Sequence, residues 1–207
     1  CRDYIIGVDY WKRHGMKLEA DLVRKNDICV SNSEYLTQYC KLFNSESFNV
    51  GQGCDFSGFC AYDYVKPADF LNIKGTIIGY VGALSSIRLD MELIKHVANS
   101  FPKHQIVLVG PEDDKFKASE LHDLTNIHFL GQKLSNQLPS YINFFDICIN
   151  PQLINEITIG NYPRKVDEYL ALGKPVVASR TSTMEAFSDY TYLASNKEEY
   201  VELIHQA

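Results

Sequence analysis

None of the six cysteines (Cys1, Cys29, Cys40, Cys54, Cys60, Cys148) stands in a Cys-x-x-Cys pair or at zinc-ligand spacing, so a structural zinc site is not expected. Cys29 and Cys148 lie in apolar, strand-like runs, where a thiol serves as a small hydrophobe. The set reads as reduced thiols of a cytoplasmic protein. A basic excess is also missing. The net charge is −6 and the pI near 5.5, which argues against a general nucleic-acid binder but leaves room for a local basic pocket. No apolar run approaches a membrane span and no secretory leader is visible. The phosphate loop Gly-x-x-x-x-Gly-Lys-Ser/Thr is absent, which removes P-loop ATPases and kinases. Without an Asp-x-Asp motif there is no evident carboxylate pair for a metal–diphosphate. The histidines are scattered; His96, His104 and His122 read as surface-facing, and none adjoins a Ser or Cys nucleophile. No internal repeat or low-complexity segment stands out.

What is present is an ordinary globular composition, 45% hydrophobic and 22% charged, in 207 residues. That length suits one large domain, or one domain and part of another. The chain starts at Cys1 rather than Met and stops within a helical pattern, so it reads as a fragment. Residues 16–24 have helical periodicity, 27–31 read as a buried strand, Ser33 caps a helix through Leu42, and 48–50 form another strand. Two strands cannot make a stable core alone. Residues 57–75 are rich in Tyr, Asp and Pro without period and read as a linker. From Thr76 onward strands alternate with helices: 76–81, 105–109, 127–130, 146–149, 176–178 and 190–193 as strands, 89–101, 138–144 and 197–204 as helices. Glu112-Asp113-Asp114 reads as a polar turn, and 185–189 as a helical turn. This pattern predicts an α/β fold, a Rossmann-like doubly wound parallel sheet with a partial second α/β unit.

The run from Asn161 to Val177 is the most informative. Pro163 suits a helix start, Val166, Tyr169 and Leu170 form one apolar stripe, and Gly173 followed by Pro175 ends the helix. Lys165 and Glu168, three apart, project from the same face near the end that favours an anion. Ligands in such sheets bind at the carboxyl ends of the strands. Three of those ends carry glycine (Gly82, Gly110, Gly131), and a fourth continues into Asn150-Pro151. Glycine lets a ligand approach the backbone. Arg88 follows the first of these loops, so Arg88 and Lys165 together suit a diphosphate. Glu168 suits the hydroxyls of a ribose. Glu156, in the irregular loop 152–162, is placed to reach a bound sugar.

With these residues, the chain resembles the GT-B glycosyltransferases, specifically the retaining group 1 family, also called family 4. The resemblance rests on Gly51-Gln52-Gly53-Cys54-Asp55, on Ile78-Gly-Tyr-Val-Gly82, on Phe129-Leu-Gly131 with Phe145-Asp-Ile-Cys-Ile-Asn-Pro151, and on Pro163-x-Lys165-x-x-Glu168-Tyr-Leu-Ala-x-Gly-Lys-Pro-Val-Val177. It implies that residues 1–56 are the tail of an acceptor-side domain, 57–75 a linker, and 76–207 the nucleotide-sugar domain. It implies donor-diphosphate binding by Arg88 and Lys165, ribose binding by Glu168, a first-strand loop at Gly82 in the nucleotide-sugar site, and a loop from Gly131 through Gln132 to Lys133 facing the nucleobase. It further implies transfer of a hexose from a UDP- or GDP-sugar with retention and without a metal. The donor is a substrate, so no cofactor is expected. Partners would be the remainder of the acceptor-side domain and a glycan or lipid acceptor, with room for peripheral membrane contact and none for nucleic acid. The 207-residue chain alone is expected to bind nucleotide weakly and to transfer nothing. The family's acidic residue eight positions before the final Glu is Gly160 here, with Glu156 as the candidate substitute. A non-catalytic scaffold in polysaccharide assembly and a nucleotide-sugar epimerase are the alternatives.

Overall fold

A computed structural model describes residues 14–59 and 63–207. Cys1 and Cys60 therefore lie outside the described residues. Cys29, Cys40, Cys54 and Cys148 are all free thiols. Among the described residues no helix is long and apolar enough to cross a membrane.

The first unit is small. Helix α1 (Gly15–Lys25) is followed by β1 (Cys29–Ser31), α2 (Glu34–Lys41) and β2 (Ser47–Asn49). The two strands pair in parallel, Cys29 opposite Ser47, with α2 as the crossover. Ser33 caps α2 by accepting the Leu36 N–H at 3.3 Å. The strand expected at 27–31 is not buried on both sides. Cys29 and Ser31 face the helices, while Ile28 and Val30 are 63% and 48% exposed. Among the described residues, α1 and α2 cover one side of this sheet.

Residues 57–59 and 63–75 lie in the stretch expected as a linker. Ser57–Phe59 and Ala68–Phe70 are 3₁₀ turns, and Phe70 and Ile73 are buried in the larger core with Tyr141 and Phe145. Asp69 pairs with Lys133 at 2.7 Å and accepts from the Tyr141 hydroxyl. Two apolar side chains in an aperiodic stretch give no pattern to read, yet their burial anchors it.

The second unit is a six-stranded parallel sheet. Its strands are β3 (Ile77–Val81), β4 (Gln105–Val109), β5 (Ile127–Phe129), β6 (Ile147–Asn150), β7 (Val176–Ser179) and β8 (Tyr192–Ala194). They lie in the order β5-β4-β3-β6-β7-β8. Numbered from β3, that is the doubly wound order 3-2-1-4-5-6, whose switch point falls between β3 and β6. Helices α3 (Met91–Ser100) and α7 (Lys197–Gln206) cover one face; α5 (Leu138–Asn143) and α6 (Arg164–Ala171) cover the other. Short α4 (Asp114–Lys117) is capped by Asp113, which also accepts the Ser86 N–H, so the expected polar turn ties down the β3 exit loop. Gly79, mid-strand in β3, is covered by the Phe145 ring, and a Cβ there would lie 2.1 Å from it. His122, expected at the surface, stacks on Phe129 at 3.9 Å and pairs with Glu112.

Candidate functional site

Helix α6 is held where the switch point opens. Val166 and Tyr169 are fully buried, and each such side chain contributes about 1.5–3 kcal/mol by leaving water. The Tyr169 hydroxyl accepts the Val81 N–H at 2.8 Å, tying the helix to the end of β3. Behind it, Gly173 takes φ +65°, and the Lys174 N–H and Gly173 N–H bond the Tyr169 and Leu170 carbonyls, a Schellman stop. Pro163 sits at the N-cap, and α6 starts with no side-chain cap. Helices α2, α3, α4 and α7 are each capped by a side chain, from Ser33, Asp90, Asp113 and Asn196.

A cleft of about 410 Å³ lies between the α6 start, the ends of β3 and β6, and the first unit. Gly82, Arg88, Lys165 and Glu168 all line it. Lys165 donates from Nζ to the Tyr80 hydroxyl at 2.7 Å and lies 4.3 Å from the centre of that ring. Gly82 has φ +140°, and a Cβ there would lie 2.9 Å from Lys165 Nζ. This glycine makes room for a cation of the protein itself.

Glu168 is 8% exposed and pairs not with Lys165 but with Arg164, Nε to Oε1 at 3.2 Å. Burial pushes its carboxyl above the ordinary carboxylate value, with Arg164 and then Lys165 opposing. Arg88 sits in the turn between β3 and α3, fixed by its N–H to the Ser85 carbonyl and its carbonyl to the Leu153 N–H, both 2.9 Å. Among the described residues, three cations and one carboxylate thus meet in one cleft of a chain whose net charge is −6. Such a site suits a ligand with an anionic group at the α6 end.

The other expected residues fall elsewhere. Glu156 is exposed and outside the cleft lining, as is Gln132. Gly131, with φ +67° and no atom within 4 Å of an added Cβ, serves a left-handed turn beyond that lining. Gly110 is no ligand floor either. A Cβ there would lie 1.9 Å from the Gly82 carbonyl oxygen, so it lets two strand-exit loops pack together. Gly160 is sealed: a Cβ would lie 2.4 Å from the Tyr35 ring, and its carbonyl accepts from Ser33 Oγ at 2.7 Å. An acidic side chain at this position would overlap Tyr35.

Several cleft residues escaped the sequence reading. Arg164 carried a legible signal, its i, i+4 spacing to Glu168. Asn150 and Gln152, nearly fully buried at the β6 exit, bond each other at 3.3 Å. From the first unit, Asn32 donates to Gln52 Oε1 at 2.8 Å, while Asn32 Oδ1 is buried without a partner. Nothing local marks Asn32, since its place depends on packing between the two units.

Residues 75–207 match the sequence model of the glycosyl transferases group 1. The chain belongs to this family. Over 195 residues this group 1 glycosyl transferase sequence is 28% identical to TuaH of Bacillus subtilis (strain 168), named as a teichuronic acid biosynthesis glycosyltransferase. The match covers 90% of this chain and 47% of TuaH. Anabaena HepE, solved in complex with UDP and glucose, superposes with a TM-score of 0.78 at 17% identity over 98% of this chain and 59% of its own. WaaG, a glycosyltransferase involved in lipopolysaccharide biosynthesis, gives 0.70 at 14% identity over 97% and 60%. These likenesses establish the GT-B type of α/β fold. The chain spans about half the length of TuaH and about three fifths of the two solved structures.

Proposed function

We propose that this chain forms the donor-binding part of a glycosyltransferase that moves a hexose from a nucleoside-diphosphate sugar to a glycan or lipid acceptor. The observation that carries it is the convergence of Arg88, Lys165, Arg164 and a start of α6 without a side-chain cap on one cleft where, among the described residues, Glu168 is the lining carboxylate. In glycosyl transfer the bond from the anomeric carbon to the diphosphate oxygen breaks, and negative charge grows on the leaving group. Fixed cations and helix-end N–H groups lower that barrier without reorganising. Lys165 and Arg88 take this role, and Arg164 holds Glu168 in place. Glu168, as an acceptor of two oxygens, receives the ribose hydroxyls. UDP is favoured over GDP because HepE has been solved with UDP and with UDP-glucose. Retention, and charge balance by side chains rather than a metal, follow from the family resemblance. The acceptor binds against the first unit and its continuation.

The sealed Gly160 favours a second reading, a scaffold that binds no donor, since the family places an acid there. Calorimetry of the intact protein with UDP and GDP separates the two. Donor binding predicts UDP heat that falls about tenfold in affinity in Glu168→Ala, the loss of charged hydrogen bonds. No heat from either nucleotide supports the scaffold.

A further inference from the structure

Among the described residues two lysines end on carboxylates, while Lys174 donates to the Asn143 carbonyl at 2.6 Å. Lys133 is bound by Asp69 at 2.7 Å and Lys95 by Glu120, and in both pairs the charge is cancelled where it stands. Lys165 is different. Its Nζ donates to the phenol of Tyr80 and lies over that ring, two neutral contacts that fix the ammonium and leave its charge intact. Tyr80 is itself rigid: it is 2% exposed, sits inside β3 opposite Leu108, and its hydroxyl reaches the Ala83 carbonyl at 3.4 Å. Gly82 completes the seat, because a Cβ there would lie 2.9 Å from both Lys165 Nζ and Tyr80 Oη. One strand end therefore builds a socket for one ammonium.

We infer that Tyr80 is a positioning residue that seats the Lys165 ammonium, held outside any ion pair, for an anionic group of the ligand. A free lysine stem samples many rotamers, and ordering it costs binding free energy. The seat removes that cost before the ligand arrives. An ammonium has three N–H donors; the phenol takes one, and the others remain for a phosphate oxygen. The diphosphate as the anion rests on the donor reading above; the seat itself rests only on the geometry.

The test is a double-mutant cycle in UDP affinity on the intact protein, with Tyr80→Phe, Lys165→Ala and the double variant. Tyr80→Phe keeps the ring and removes the hydroxyl. It is expected to weaken UDP binding about tenfold, and to do nothing further in the Lys165→Ala background. An equal effect in both backgrounds, or no effect in the first, overturns the inference. Nitrogen NMR of the unliganded protein separates the seat from the ligand. A slowly exchanging Lys165 ammonium signal that Tyr80→Phe abolishes supports the seat even where UDP does not bind, in which case the donor reading alone falls. Absence of that signal in the wild type removes the seat.

Discussion

Helices α3 and α6 both begin at the rim where β3 and β6 diverge, yet their starts are finished in opposite ways. Asp90 caps α3, its carboxylate accepting the Leu93 N–H at 2.9 Å, and Glu92 follows in the first turn. The helix supplies its own anion, which is the stabilising arrangement. Helix α6 starts at Pro163 without a side-chain cap, and its first turn holds Arg164 and Lys165 together with Asp167, whose carboxylate accepts from the Tyr162 hydroxyl at 3.1 Å. Cations there oppose the helix dipole by about 0.3–1 kcal/mol each. One start carries its own capping carboxylate; the other has no side-chain cap and turns Arg164 and Lys165 to the cleft.

The comparison can be broken by exchanging the outcomes of mutation. Lys165→Ala should cost the most in binding, about 100-fold in UDP affinity by calorimetry, as expected for a charged hydrogen bond to phosphate. Its thermal stability should stay level or rise, because an unfavourable first-turn cation is gone. Gly82→Ala comes next. The +140° φ disfavours a side chain, and the new Cβ displaces the seated ammonium, so stability should fall by about 1 kcal/mol and UDP affinity with it. Asp90→Ala should do the reverse of Lys165→Ala, losing about 1 kcal/mol in urea unfolding with UDP affinity unchanged.

The smallest effect concerns Glu168. Its raised carboxyl value means that the folded state holds a proton more tightly than the unfolded chain does. Its stability contribution is therefore complete below the ordinary carboxylate range and is lost as pH rises through the raised folded value. Glu168→Gln should melt above the wild type at neutral pH, and the gap should close below about pH 4. The same variant should bind UDP more weakly. A site residue that weakens the fold while it strengthens binding fits the α6 side of the comparison.

Much of this was legible in the residues. Strand and helix periodicity announced the doubly wound sheet, and Gly173 with Pro175 marked the end of α6. Lys165, Glu168, Arg88 and Gly82 are legible as candidates because helix ends and strand exits carry local signatures, and all four line the cleft. What was not legible depended on contacts distant in sequence. Gly110 and Gly131 share a strand-end position with Gly82, but only the structure reveals that one receives a neighbouring loop and the other a turn. Glu168 was matched with Lys165 by spacing, whereas the closer geometry belongs to Arg164. Ile28 and Val30 belong to an apolar run that reads as buried from either side, and among the described residues the helices pack on the Cys29 side. Gly160 showed as a departure from the family; Tyr35, 125 residues earlier, supplies its physical reason.

The most direct test is a crystal structure of the intact protein with UDP. The diphosphate is expected at the start of α6, with an oxygen within about 3 Å of Lys165 Nζ, a charge-assisted hydrogen bond, and the ribose against Glu168. A diphosphate bound instead at the capped start of α3, or away from the switch point, would contradict it.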